Sequence, residues 1–216
     1  QEIPWFSPEL GVRSLPDWET LPYDVLSPQE DIVSERLETL YRMTSGTKGL
    51  DVVIASAVTA AQRMAPVAYV GANTFFFRPG DTLSVEGLRS NLAAAGYAGV
   101  KQVLAAGEFA VRGSIIDVFP MGSDRPFRLD LFDDETQRSM EAVNEIRLLP
   151  GHEFPVTPEA VTGFRQRWRT RFAGDPGKSL VYRDIGNGVL PPGIEYYLPL
   201  FFEQTATLAD YLSAGT

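Results

Sequence analysis

Three short stretches carry residue types from which chemistry could be built: GDPGKS at 174–179, FDDE at 132–135, and the histidine of LPGHEFP, His152. The first has the lysine and serine of a phosphate loop. Such a loop wraps backbone N–H groups around phosphates where a strand turns into a helix. It needs a glycine five positions before Gly177, and Phe172 stands there. The preceding RWRTRF does not read as a buried strand, and no apolar helix is expected after Ser179. A solvent loop is the expectation. FDDE imitates the acidic end of a nucleotide-binding strand, but that strand should be apolar on both faces. FRLDLF alternates instead, with Phe127, Leu129 and Leu131 on one side and Arg128, Asp130 and Phe132 on the other. Asp133 and Asp134 therefore read as a polar turn. His152 has no partner cluster suggesting a ligand, and is expected at the surface or in a hydrogen bond.

What remains is a surface rather than a reaction centre. Arg128 and Phe132 share a strand face by alternation, and Arg112 joins them if Gly113 allows a bulge. Arginine and an aromatic, clustered and exposed, have the composition of a protein-interface hot spot. In the competing arrangement Phe132 tucks under a loop and the arginines pair with Asp130 or Glu108. Periodicity alone leaves both open. Arg165, Arg167, Arg169 and Arg171, at alternate positions on a helix, spread around it and read as a solvated face behind a Val161/Phe164/Trp168/Phe172 stripe.

The elements that must position these residues are legible in outline. GVRSLPDW (11–18) opens with a short strand. SPQEDIVSERLETLYRM follows as a helix, with Ser27 as cap, Pro28 at its first position and Glu30 completing a capping box. Ile32, Val33, Arg36, Leu37, Leu40 and Tyr41 recur at helical spacing. LDVVIASAV (50–58) reads as a strand buried on both faces, completing a βαβ unit. From Asn73 the character changes to an aromatic strand, FFF. A helix capped by Ser84 and closed by Gly96 comes next, and then the arginine-bearing hairpin within 107–135. From 150 a Gly/Pro-rich stretch leads to PPGIEYYLPLFF. A βαβ unit so near residue 1 reads as the later part of a larger domain, and FDDETQRSM leaves the hairpin without a further arm to pair with.

Composition narrows the classes. With no cysteine in 216 residues there is no disulfide, thiolate nucleophile or Cys-ligated zinc. One histidine leaves little room for a His-based metal site. A net charge of −9 opposes general coating of nucleic acid, which rests on excess Lys and Arg. No apolar run reaches a membrane span and no signal pattern opens the chain, so a cytoplasmic protein without membrane partners is expected.

LPDWETLPYD, SPQEDIVSERLETLY, GEFAVRGSIIDVFPMGS, RLDLFDDE, LLPGHEFP and LPPGIEYYLPLFF together resemble the amino-terminal, UvrB-like module of bacterial transcription-repair coupling factors. The likeness covers nearly the whole chain. It implies an α/β fold in three pieces. Residues 1–73 would be the later part of a helicase-like parallel α/β domain, UvrB domain 1A. Residues 74–149 would be domain 2, an α+β UvrA-binding module with antiparallel hairpins, and 150–216 a 1B-like segment. The resemblance implies UvrA as partner, gripped through Arg112, Arg128, Phe132 and Asp130. UvrB-type sequences carry a further arginine at the position of Ala110, so this surface is less basic. No catalytic site or cofactor is implied for this stretch. ATP and Mg, RNA polymerase and DNA would engage other domains of the parent translocase, which would also mask the UvrA surface until the motor engages DNA. About ten further residues after FDDE, one strand of ordinary length, are implied as well. The alternative function is a UvrB-like ATP- or DNA-binding helicase fragment.

Overall fold

A parallel strand pair requires a crossover, and the amino-terminal third is built around one. The computed structural model describes residues 2–22, 25–46, 49–78, 84–130 and 145–212. After one helical turn, α1 (Ile3–Phe6), β1 (Val12–Leu15) pairs in parallel with β2 (Val52–Ala55), Val12 opposite Val52 and Leu15 opposite Ala55. The crossover is α2 (Glu30–Thr44), whose Leu37 and Leu40 are fully buried. The expected βαβ unit is present, but β2 is not buried on both faces. Val53 and Ala55 pack on the core, while Ile54 between them is 44% exposed, because two strands make too narrow a sheet to be covered on both sides.

The expected cap of α2 is also displaced. Gln29 occupies the N-cap position and makes no side-chain cap. The Ser27 hydroxyl instead donates to Glu195 Oε2 (3.0 Å) and accepts from the Gly193 N–H (3.1 Å), fastening this loop to the carboxy-terminal segment. Glu30 and Asp31 in the first turn still place negative charge at the positive end of the helix dipole.

Two short helices, α3 (Ala57–Ala61) and α4 (Val67–Ala72), lead into β3 (Phe75–Phe77). The next helix, α5 (Val85–Ala94), behaves as its sequence predicts. Ser84 Oγ accepts from the Gly87 N–H, and Gly96 closes the helix at φ +89°. The Tyr97 N–H donates to Leu92 O and the Gly96 N–H to Ala93 O, the paired bonds of a Schellman ending. Beyond it lies a four-stranded sheet of β4 (Ala98–Gly99), β5 (Glu108–Arg112), β6 (Ile115–Val118) and β7 (Phe127–Asp130), in that order. β8 (Ile146–Leu148) returns to pair antiparallel with β3.

One continuous core joins these parts: Leu15, Leu37 and Leu40 pack with Leu88, Phe109, Ile116, Val118 and Leu148. A second, aromatic core gathers Phe154, Phe164, Trp168, Tyr182 and Phe201. It is built by α6 (Pro158–Arg171), α7 (Leu180–Gly186), the 3-10 helix Ile194–Leu200 and their flanks, with α8 (Leu208–Tyr211) near the end of the chain. Phe164 and Trp168 of the expected stripe are buried, and Phe172, at the helix end and 42% exposed, packs its ring 4.5 Å from that of Trp168. No helix among the described residues is long and apolar enough to cross a membrane.

Candidate functional site

The run GEFAVRGSIIDVF folds as two strands, not one. Arg112 pairs with Ile115, so Gly113 and Ser114 form a two-residue turn, and Gly113 has φ +65°. Positive φ at the first turn position alone matches the tight turns whose twist suits a hairpin. There is thus no bulge at Gly113, the condition on which Arg112 was to join the face. A glycine inside an apolar run allows either device, and here the chain reverses.

The register sorts the side chains. Phe109, Val111, Ile116, Val118, Phe127 and Leu129 face the core. The opposite face carries Arg112 on β5, Ile115 and Asp117 on β6, and Arg128 and Asp130 on β7, with Arg112 opposite Ile115, Ile115 opposite Asp130 and Asp117 opposite Arg128. Three of the four expected site residues, Arg112, Arg128 and Asp130, thus share one face without a bulge. The fourth, Phe132, lies outside the described residues, as do Asp133 and Asp134.

Arg128 is half exposed and forms a two-pronged pair with Asp117, Nε to Oδ1 at 2.6 Å and Nη2 to Oδ2 at 3.0 Å. That hydrogen-bonded guanidinium holds the Asp117 carboxyl below its ordinary range; partial burial opposes it, and Arg112 adds to it from a distance. Exposed Arg112 donates through Nη2 to the Lys101 carbonyl at 2.8 Å. Glu108 does not serve the arginines in these bonds, because its Oε2 accepts from the N–H groups of Leu104 and Ala105. The carboxylate that engages Arg128 comes from Asp117, which sequence reasoning passed over. Its signal was available: in SIIDVF it is the one charged residue at an outward position of an alternating strand.

Residues 75–154, which include this whole sheet, match the family model of the UvrB interaction domain. Along its length the chain is similar to transcription-repair-coupling factors. It is 44% identical to that of Haemophilus influenzae over 214 residues, covering 93% of the chain and 18% of that protein. It is 42% identical to that of Escherichia coli over 226 positions, covering all of the chain and 19% of that protein, and 27% identical to that of Bacillus subtilis over 216 residues, covering 89% and 18%. The chain is a transcription-repair-coupling-factor homologue that carries a UvrB interaction domain. It spans less than a fifth of the length of these relatives. The alignment with the E. coli protein runs over 226 positions against 216 residues, so at least ten positions of that relative have no counterpart here.

Other residues of chemical interest are occupied structurally. The GDPGKS stretch lies between two helices, not between a strand and a helix. A helix, α7, does follow Ser179, contrary to the sequence reading. The Gly177 N–H is taken by Asp175 Oδ1 at 2.9 Å, and Ser179 Oγ accepts from the Tyr182 N–H as the cap of α7. The helix arginines are not a simple solvated face. Arg167 donates to the carbonyls of Leu200 and Phe201, and Arg169 to the Tyr182 hydroxyl, with Arg165 and Arg169 both over the Tyr182 ring. Among the described residues no group of three or more His, Asp or Glu could hold a metal.

His152 is partly buried, and its ring makes no hydrogen bond to the described residues. It stacks on Phe154 with ring centroids 5.2 Å apart and sits against Gly96, and enclosure pushes its pKa down to about 4. It lines a cleft of about 420 Å³ with Glu30 and Glu195, whose carboxyls burial holds above their ordinary range. Next to it, Glu153 is buried in an ion pair with Arg36, itself fully buried. Sequence spacing placed Arg36 among the apolar residues of α2 without indicating a partner.

Proposed function

We propose that the sheet face bearing Arg112 and Arg128 docks UvrA, and that the protein recruits UvrA to a stalled RNA polymerase in transcription-coupled excision repair. The observation that carries this reading is the convergence of two exposed arginines on one face of a sheet lying inside the UvrB interaction domain. Residues 74–149 are then the docking module, 1–73 the remnant of a helicase-type α/β domain, and 150–216 a 1B-like segment. RNA polymerase and DNA are engaged by other parts of the parent protein. A bacterial, cytoplasmic setting follows from these partners.

Docking energy of this kind concentrates in a few groups. Phe132→Ala should weaken UvrA binding by about 2 kcal/mol, the size of a hot-spot anchor. Arg112→Glu or Arg128→Glu should cost at least as much, because each sets a carboxylate against whatever acceptor the guanidinium engages. Folding stability should move by only about 0.5 kcal/mol for exposed Arg112, and by more for Arg128→Glu, which sets a second carboxylate opposite Asp117. Equilibrium titration with UvrA, alongside urea unfolding, checks both numbers. Unaltered UvrA binding by both arginine variants places the docking surface elsewhere.

This stretch performs no catalysis and takes no nucleotide in the same proposal. The supporting observation is that the backbone N–H of Gly177 and the hydroxyl of Ser179, the groups a phosphate loop would offer, are spent on Asp175 and Tyr182. Titration with ATP and Mg should show no saturable binding and no turnover. ATP turnover lost on Lys178→Ala would restore the helicase-fragment alternative.

A further inference from the structure

Resting on the UvrA-docking reading above, we infer that Asp117 is a positioning residue for docking: its carboxylate fixes the Arg128 guanidinium in the orientation that the partner receives. Arg128 projects from β7 and is 53% exposed, so without a tether its long side chain would sample many rotamers. Ordering such a side chain on binding is a recognised part of the cost of association. Asp117 lies directly opposite on β6 and is far less exposed, on a backbone held between two strands. Its two oxygens take Nε and Nη2, so the fork is held at two points and cannot swivel. The pair uses Nε and Nη2 and leaves Nη1 outside it. A partner acceptor meeting that edge finds it already oriented.

The charges on the face favour this account over simple attraction. Arg112 and Arg128 are offset by Asp117 and Asp130, so these four residues sum to zero and supply little long-range pull on an acidic partner. Two roles for Asp117 therefore predict opposite results. If it only subtracts positive charge, removing it should speed association and tighten binding. If it positions Arg128, removing it should speed dissociation, whatever the small gain in association rate.

The decisive experiment measures association and dissociation rates with UvrA at two salt concentrations for the wild type, Asp117→Asn, Arg128→Lys and the double variant. Asn keeps the volume of Asp and protects the fold. Asp117→Asn should raise the dissociation rate roughly three- to tenfold, the range expected for one immobilised side chain, with the association rate unchanged or slightly increased at low salt. On the Arg128→Lys background, where no fork remains to hold, the same change should have little effect. Asp117→Glu should recover part of the loss. A second readout needs no partner: the Arg128 Nε–H NMR signal should report a rigid group in the wild type and a mobile one in Asp117→Asn. Equal or tighter UvrA binding by Asp117→Asn, or an Arg128 Nε as mobile in the wild type as in the variant, overturns the inference. If Arg128→Ala leaves UvrA binding unchanged, the docking reading fails and the inference with it. If Arg128→Ala weakens binding while Asp117→Asn does not, only the inference fails.

Discussion

Arg36→Ala should destabilise the fold by about 3–5 kcal/mol, the cost of leaving a buried charge without its partner. Arg36 is wholly enclosed and Glu153 nearly so, and the pair meets at two points, Nε to Oε1 at 2.5 Å and Nη2 to Oε2 at 3.1 Å. The remaining groups are also satisfied. Arg36 Nη1 donates to the Pro16 carbonyl at 2.6 Å, the Trp18 indole N–H donates to Glu153 Oε1 at 3.1 Å, and the guanidinium lies 5.1 Å from the centre of the Trp18 ring. Deleting the arginine leaves Glu153 with one indole donor in a site that excludes water. Glu153→Ala strands the guanidinium in the same way. The double variant Arg36→Met, Glu153→Leu removes both charges and fills the volume, so it should recover part of the loss, short of the Trp18 indole N–H and Pro16 carbonyl that it leaves unpaired. Urea unfolding followed by tryptophan fluorescence, with the slope checked for constancy, reads all three. Single-variant costs under about 1 kcal/mol would mean that water reaches the pair and that it contributes like a surface bridge.

That pair also shows where sequence reasoning stops. Features decided within a few residues were legible: the helical spacing of Leu37 and Leu40, the Ser84 cap, the Gly96 ending and the alternation of Phe127, Arg128, Leu129 and Asp130. Features decided by distant partners were not. Ser27 has every local property of a helix cap, yet its hydroxyl is claimed by Glu195 and Gly193, more than 160 positions away in the chain. Arg36 sits at helical spacing with apolar neighbours, a visible anomaly, but nothing near it names Glu153, 117 positions on. Gly113 failed for a different reason. A glycine in an apolar run is compatible with a bulge or with a reversal, and only the pairing of Arg112 with Ile115 decides. The site was therefore half legible. The two arginines fell on the predicted face, while the carboxylate that orders one of them became visible only once β6 was aligned against β7.

His152 makes the second large effect one of pH. An imidazole stacked on Phe154 and pressed against Gly96 is poorly solvated as a cation, and its pKa falls to about 4. In the unfolded chain it returns to about 6.5. Between those values the unfolded state binds the proton and the folded state does not, so stability falls as pH drops through that window. With these two pKa values the loss between pH 7.5 and pH 4.5 is about 2.5 kcal/mol. Glu30 and Glu195, on the same cleft, work in the opposite sense. Their folded pKa values are raised, so protonation at low pH favours the folded state and offsets part of the loss. The histidine contribution is isolated by comparing slopes and not absolute stabilities. His152→Gln should lose about 2.5 kcal/mol less than the wild type on going from pH 7.5 to 4.5, even if it starts lower because of imperfect packing. Direct titration of the His152 ring by NMR should show it neutral at pH 5.5. A midpoint near 6.5 in the folded protein, or parallel pH profiles for wild type and His152→Gln, would mean that water solvates the ring and that acid lability has another source.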